Sequence, residues 1–179
     1  MKKLLALLLV AGSVSAFAMD NPLYLGVGAG AGWNNANSPA TTFRMDGGYM
    51  WTPNWSAEIG TTKITQSGGN PNQGMQYYDA SIKGTVNIGE VVGLFLQLGG
   101  AYGDPDVPGG CTGGSVYCTS GDANTQLDGQ AGWNFLTGVG VNFNLTQRVS
   151  LNLTDLYYYG APNPQGNSNV TLVGVNVAF

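Results

Sequence analysis

The chain is 179 residues long, only 9% of them charged, with ten carboxylates, six lysines and arginines and no histidine, for a net charge of −4. A soluble domain is typically about 25% charged, so this composition covers a water-facing surface poorly. The negative balance excludes a nucleic-acid surface, which needs clustered Lys and Arg, and the missing histidine removes the side chain used most often as general acid or base.

The first element is a leader. Met1-Lys2-Lys3 precedes an apolar run over residues 4–10, and small residues lead on to Ala16-Phe17-Ala18. This pattern predicts a secretory signal peptide over residues 1–18, cut after Ala18, and one mature domain over residues 19–179. The run falls short of the about 20 apolar residues that a membrane-spanning helix needs, and no longer one follows. With Lys2 and Lys3 removed, Arg44, Lys63, Lys83 and Arg148 stand against ten carboxylates, a net charge of −6.

Beyond the leader the dominant signal is alternation with a period of two, the signature of β-strands with unlike faces. Strand one sets Leu23, Leu25, Val27, Ala29, Ala31 and Trp33 on one face and Gly26, Gly28, Gly30 and Gly32 on the other. Those glycines do not form a phosphate loop, because a loop and not a helix follows Trp33; they leave space inside a curved sheet. Strand two sets Phe43, Met45, Tyr49 and Trp51 against Thr42, Arg44, Asp46 and Gly48, and Pro53-Asn54 marks a tight turn. Strand three follows with Trp55, Ala57 and Ile59 against Ser56, Glu58 and Gly60. Strand four sets Tyr78, Ala80, Ile82, Val86 and Ile88 against Tyr77, Asp79, Ser81, Lys83 and Thr85. After a turn at Gly89-Glu90, strand five carries Val92, Leu94, Leu96, Leu98 and Tyr102 against Gly93, Phe95, Gln97 and Gly99.

A stretch rich in Gly, Asp, Pro and Ser over residues 103–130 holds Cys111 and Cys118, which are predicted to form a disulfide in an exported chain. A metal site there lacks ligands, since two thiols without histidine do not hold zinc. Asp104, Asp106, Asp122 and Asp128 match no calcium loop and read as a solvated acidic loop. No cofactor motif is found.

Strand six sets Trp133, Phe135, Val139, Val141 and Phe143 against Asn134, Leu136, Gly138, Gly140 and Asn142. Strand seven begins with Val149, Leu151 and Leu153 against Ser150, Asn152 and Thr154. Continuing its phase puts Asp155 on the apolar face, which predicts a bulge or an interfacial position there. The final strand sets Thr171, Val173, Val175, Val177 and Phe179 against Leu172, Gly174 and Asn176. Aromatic residues gather at strand ends, with Tyr49, Trp51 and Trp55 near one boundary and Tyr102, Trp133, Tyr157, Tyr158 and Tyr159 towards the other, as interfacial girdles do.

Eight strands of about ten residues, with three tight turns alternating with four longer loops, predict an all-β fold: an eight-stranded antiparallel up-and-down transmembrane β-barrel with both termini in the periplasm. The hairpin GYMWTPNWSAEIG at residues 48–60, LFLQLGGAYG at 94–103 and the terminal VTLVGVNVAF resemble the OmpA-type eight-stranded outer-membrane barrel superfamily over the whole mature chain. The resemblance implies the outer membrane of a Gram-negative cell as location, with its lipids and lipopolysaccharide as surroundings. It also implies the barrel-assembly machinery as a partner in biogenesis, reading Val173, Val175, Val177 and Phe179 as a signal. No peptidoglycan-binding domain follows strand eight, so no tethering role is expected.

The face opposite the bulky one carries Arg44, Asp46, Glu58, Asp79 and Lys83. Counting up from the tight turns places Asp46, Glu58 and Lys83 at similar heights with Arg44 one rung above, and the resemblance implies a buried acid and base at Glu58 and Lys83. These residues read either as an ion-pair network filling a narrow interior or as a gate for small solutes. The expected function is that of a non-enzymatic, monomeric outer-membrane barrel serving envelope integrity or showing its loops to a host or environmental ligand. A narrow pore and a soluble periplasmic ligand-binding barrel are the alternatives.

Overall fold

The computed structural model describes residues 22–34, 39–66, 74–106, 132–160 and 167–179. The leader over residues 1–18 and the cysteine pair Cys111 and Cys118 lie outside the described residues. Eight strands follow one another: β1 (Leu23–Asn34), β2 (Pro39–Thr52), β3 (Trp55–Gln66), β4 (Gly74–Ile88), β5 (Val92–Asp106), β6 (Gly132–Asn144), β7 (Val149–Gly160) and β8 (Ser168–Ala178). Each pairs antiparallel with the next, and β8 pairs with β1 to close the barrel.

The stagger of this closure follows from the register. Stepping across partners from Tyr24 through Gly48, Glu58, Ser81, Gly99, Leu136, Tyr158 and Ser168 returns to β1 at Asn34, ten residues beyond the start. Such a stagger on eight strands tilts them by about 40° and leaves an interior only wide enough for side chains. Even-numbered residues of β1, β2, β7 and β8 point inward, and the glycines among them make room for longer neighbours.

Three short turns join the strands at one end. Asn54 donates from Nδ2 to the Thr85 carbonyl at 2.8 Å, tying the first turn to β4. Gly89 opens the second with φ at +71°, a conformation that L side chains resist. In the third, Thr146 Oγ1 accepts from the backbone N–H groups of Arg148 and Val149 at 3.1 and 3.0 Å. The closing strand is held at this same end, where the Phe179 N–H donates to the Leu23 carbonyl at 3.0 Å.

The outer wall bears the bulky apolar set, including Leu25, Met45, Ile59, Ile82, Leu96, Val139 and Val173, all exposed. Val175, Val177 and Phe179 belong to this wall. Trp51, Trp55 and Phe143 ring the turn end, and Trp33, Tyr102, Trp133 and Tyr159 ring the other. Tyr102 and Trp133 meet edge to face at 5.7 Å.

The interior departs from a uniformly polar lumen. In the half nearer the turns it is lined by Ser56, Glu58, Lys83, Gln97, Asn142, Asn152 and Asn176. Towards the long loops it is filled by Ile64, Tyr77, Ala101, Leu136, Leu156, Tyr158, Val170 and Leu172, all buried. On that half the outer wall turns polar in places, with Lys63 exposed on β3 and Asp155 half-buried on β7. Of the bulge or interfacial position expected at Asp155, the structure removes the bulge. The pairs Thr154↔Leu172, Asp155↔Thr171 and Leu156↔Val170 run without interruption, and the strand keeps its phase while the polarity of its faces exchanges. The β2–β3 pairing does shift register, between Met50 and Thr52. Tyr158 also leaves the expected girdle, because even-numbered residues of β7 point inward, and it is fully buried.

Candidate functional site

The charged side chains of the lumen sort into two groups, one above the other. Nearer the turns, Glu58 on β3 accepts hydrogen bonds from the Lys83 ammonium on β4 and the Tyr24 hydroxyl on β1. The Lys83 ammonium also lies 5.0 Å from the centroid of the Tyr24 ring and 5.1 Å from that of Phe95 on β5. The cation thus meets one carboxylate and two aromatic faces, which replace much of the hydration it loses on burial. Gly48 lies against Tyr24; a Cβ there would stand 2.2 Å from the ring.

Higher in the barrel, Arg44 on β2 reaches past β3 to Asp79 on β4. Its Nη1 and Nη2 donate to Asp79 Oδ2 and Oδ1 at 2.7 and 2.8 Å, a two-pronged arrangement that orients both groups. Nη1 also donates to Thr62 Oγ1 at 2.9 Å, and Nε lies 3.5 Å from Asp46 Oδ1. The strand that Arg44 crosses offers Gly60, where a Cβ would stand 2.6 Å from Nη2. A side chain at position 60 would displace the guanidinium.

Above Arg44 lies an aromatic lid. The Tyr158 hydroxyl is 2.8 Å from Thr62 Oγ1 and accepts from Arg44 Nη1 at 3.3 Å. Its ring stacks on Tyr77 with centroids 4.1 Å apart and planes 12° from parallel. The Tyr77 hydroxyl reaches Ser168 on β8 at 3.0 Å, so the stack spans the barrel from β4 to β7 and β8. Leu136, Leu156 and Val170 pack around it, each fully buried.

Between the two charged groups a cavity of about 20 Å³ is lined by Asp46, Glu58, Lys83, Gln97, Asn142 and Asn176. That volume holds about one water, and the buried Asn142 Oδ1, which lacks a protein partner, offers it an acceptor.

The structure therefore brings Arg44, Asp46 and Asp79 together and sets Glu58 and Lys83 beside each other below them. Sequence reading overlooked Tyr24 and Thr62 and placed Tyr158 outside. The signal for Tyr24 was its parity, since it continues the glycine face of β1. The signal for Tyr158 was likewise parity, hidden by two tyrosine neighbours that do point outward.

A family model described as outer membrane protein beta-barrel domain matches residues 4–179. No curated protein matches the sequence. Among solved structures, the N-terminal beta-barrel domain of Pseudomonas aeruginosa OprF is similar with a TM-score of 0.60 at 12% identity, covering 87% of this chain and 97% of that one. Ail, the attachment invasion locus protein of Yersinia pestis, has a TM-score of 0.52 at 13% identity over 88% and 96% of the two chains. Neisserial surface protein A has a TM-score of 0.52 at 17% identity over 88% and 96%. At these identities the likeness is one of fold. The closed eight-stranded barrel, the apolar outer wall between two aromatic rings and the family match over residues 4–179 agree: the chain belongs to the outer membrane protein beta-barrel domain family and resides in the outer membrane.

Proposed function

We propose that this chain is a non-enzymatic barrel with a sealed interior, whose work is done on its outside: it reinforces the outer membrane and presents its long loops to partners. The observation that carries this reading is the lid. The Arg44–Asp79 pair is clamped beneath the stacked rings of Tyr77 and Tyr158, and apolar side chains fill the interior around them. A conducting path needs polar groups along its whole length, and this interior is polar over only half of it.

The loops favour neutral or cationic partners. Residues 35–38, 67–73, 107–131 and 161–166 contain no Lys or Arg, while 107–131 contains Asp122 and Asp128. Ail has been crystallised with a heparin analogue, sucrose octasulfate. A sulfated polyanion of that kind would find no cation in these loops. On this reading outer-membrane lipids and lipopolysaccharide surround the wall, and the barrel-assembly machinery inserts the chain.

Planar-bilayer recording tests the proposal. The wild type is expected to show no resolved channel, and a steady unitary conductance from it would replace this reading with that of a narrow pore. Partition of the mature protein into buffer without detergent would instead support the soluble periplasmic barrel.

A further inference from the structure

Asp155 sits halfway along β7, six residues from Val149 and five from Gly160. Its parity with the exposed Leu153 and Tyr157 sends the side chain outward. The apolar band of such barrels is about 25 Å tall, so this position lies near mid-membrane, far from either headgroup layer. The carboxylate accepts one hydrogen bond among the described residues, from Thr171 Oγ1 at 2.9 Å. A carboxylate has acceptor sites for about four, and an ionisable group at membrane depth is costly unless a partner meets it.

Asn169 on β8, two positions from Thr171, shares this face, and its side-chain oxygen is enclosed by the chain itself. Groups that can donate share the face one rung along the strands, where Thr137 on β6, Tyr157 on β7 and Asn169 on β8 are register partners. Thr171 is paired in turn with Ala31 on β1, and Ala29 lies one outward position below, so the wall is thin there. Small side chains allow close approach of two backbones in a membrane, and polar groups hold them together.

We infer that the outer face of β6, β7, β8 and the adjoining part of β1 is an interface with a second copy of this chain. The face carries a carboxylate with acceptor sites to spare and groups that can donate on neighbouring strands. A two-fold axis through it lets Asp155 of each copy accept from the Thr137, Tyr157 or Asn169 groups of the other, so that one set of residues satisfies both copies. A carboxylate that lipid alone would leave unsatisfied thereby acquires donors at its own depth. On this reading the chain forms a two-fold dimer within the membrane, where the sequence led to the expectation of a monomer.

Sedimentation equilibrium of the folded full-length mature protein, in a detergent matched to solvent density, tests this. The wild type is expected to sediment as two chains at micromolar concentration, and Asp155→Leu to raise the dissociation constant on the order of tenfold or more. Heat-modifiable migration on a mild-detergent gel reports whether each variant is folded. Should Asp155→Leu fail to fold, Asn169→Leu, on the adjacent strand, is expected to weaken the dimer in the same direction. A wild type that remains one chain at every concentration overturns the proposal. So does a folded Asp155→Leu, or Asn169→Leu in its place, that dimerises as the wild type does.

Discussion

Arg44 and Asp79 join β2 to β4 across the intervening β3 by two hydrogen bonds of 2.7 and 2.8 Å, made inside the barrel and not along its wall. The contact acts as a crossbar, because every backbone ladder in the fold links sequential neighbours or the β1–β8 seam. Arg44→Ala leaves the Asp79 carboxylate buried without its main partner and is expected to destabilise the barrel by about 3 to 5 kcal/mol. Arg44→Met combined with Asp79→Leu removes both charges and is expected to cost much less. Urea unfolding in lipid vesicles, followed by tryptophan fluorescence, measures both variants; equal losses in the two would show that the pair matters only for packing.

The lid separates stability from sealing. Tyr158→Phe keeps the ring stack on Tyr77 but removes the hydroxyl that meets Thr62 and Arg44, at an expected cost of about 1 to 2 kcal/mol with no conductance. Tyr158→Ala removes the ring as well and is expected to produce brief openings in planar bilayers. A silent Tyr158→Ala would show that the aliphatic side chains around it seal the interior unaided.

At the closing seam, β1 lies so near β8 that a Cβ on Gly30 would stand 1.9 Å from the Thr171 carbonyl oxygen and 2.9 Å from Leu172 Cα. All of these are backbone atoms of β8, which leave little means of relief. Gly30→Ala is expected to cost about 3 kcal/mol or more and to reduce the heat-modifiable fraction. Gly100→Ala, whose added Cβ would meet only the Asn134 carbonyl at 3.9 Å, is the control and is expected to fold as the wild type does.

Phe179 contributes to closure mainly through its backbone, whose N–H donates to the Leu23 carbonyl, while its ring is exposed on the outer wall. Phe179→Ala should therefore change unfolding in purified lipid by less than about 1 kcal/mol. In cells it is expected to lower the amount of folded barrel in the outer membrane several-fold, through the assembly step. Quantitative immunoblotting of membrane fractions, set beside the unfolding curve, distinguishes the two effects.

The wall of this barrel was legible because its outer residues must be apolar wherever lipid touches them, so Leu94, Leu96 and Leu98 announce their strand directly. The interior was legible only near the turns. Along β3 the alternation of Trp55, Ala57 and Ile59 gives way to Thr61, Lys63 and Thr65, and inward-facing Ile64 becomes the apolar member. A rule that equates the apolar face with the outside ends the strand at Gly60, although β3 continues to Gln66. The same exchange at Asp155 and Leu156 suggested a break in β7. Charged lumen residues were found by parity from the turns, but parity does not say which acid each base meets. Arg44 bypasses the adjacent strand to reach Asp79, and only the tilt and stagger of the closed barrel bring the two together.

The exchange of polarity along the barrel means that its two halves depend on the bilayer to different degrees. Near the turns the inside holds groups that water solvates well, so little drives that half shut once lipid is stripped away. Towards the loops the inside is an apolar core in miniature, and water would expel those side chains whether or not lipid surrounds the wall. Protection of backbone amides from exchange should therefore outlast detergent dilution around Leu136 and Leu156 and fade first around Asn142 and Asn152 on the same two strands.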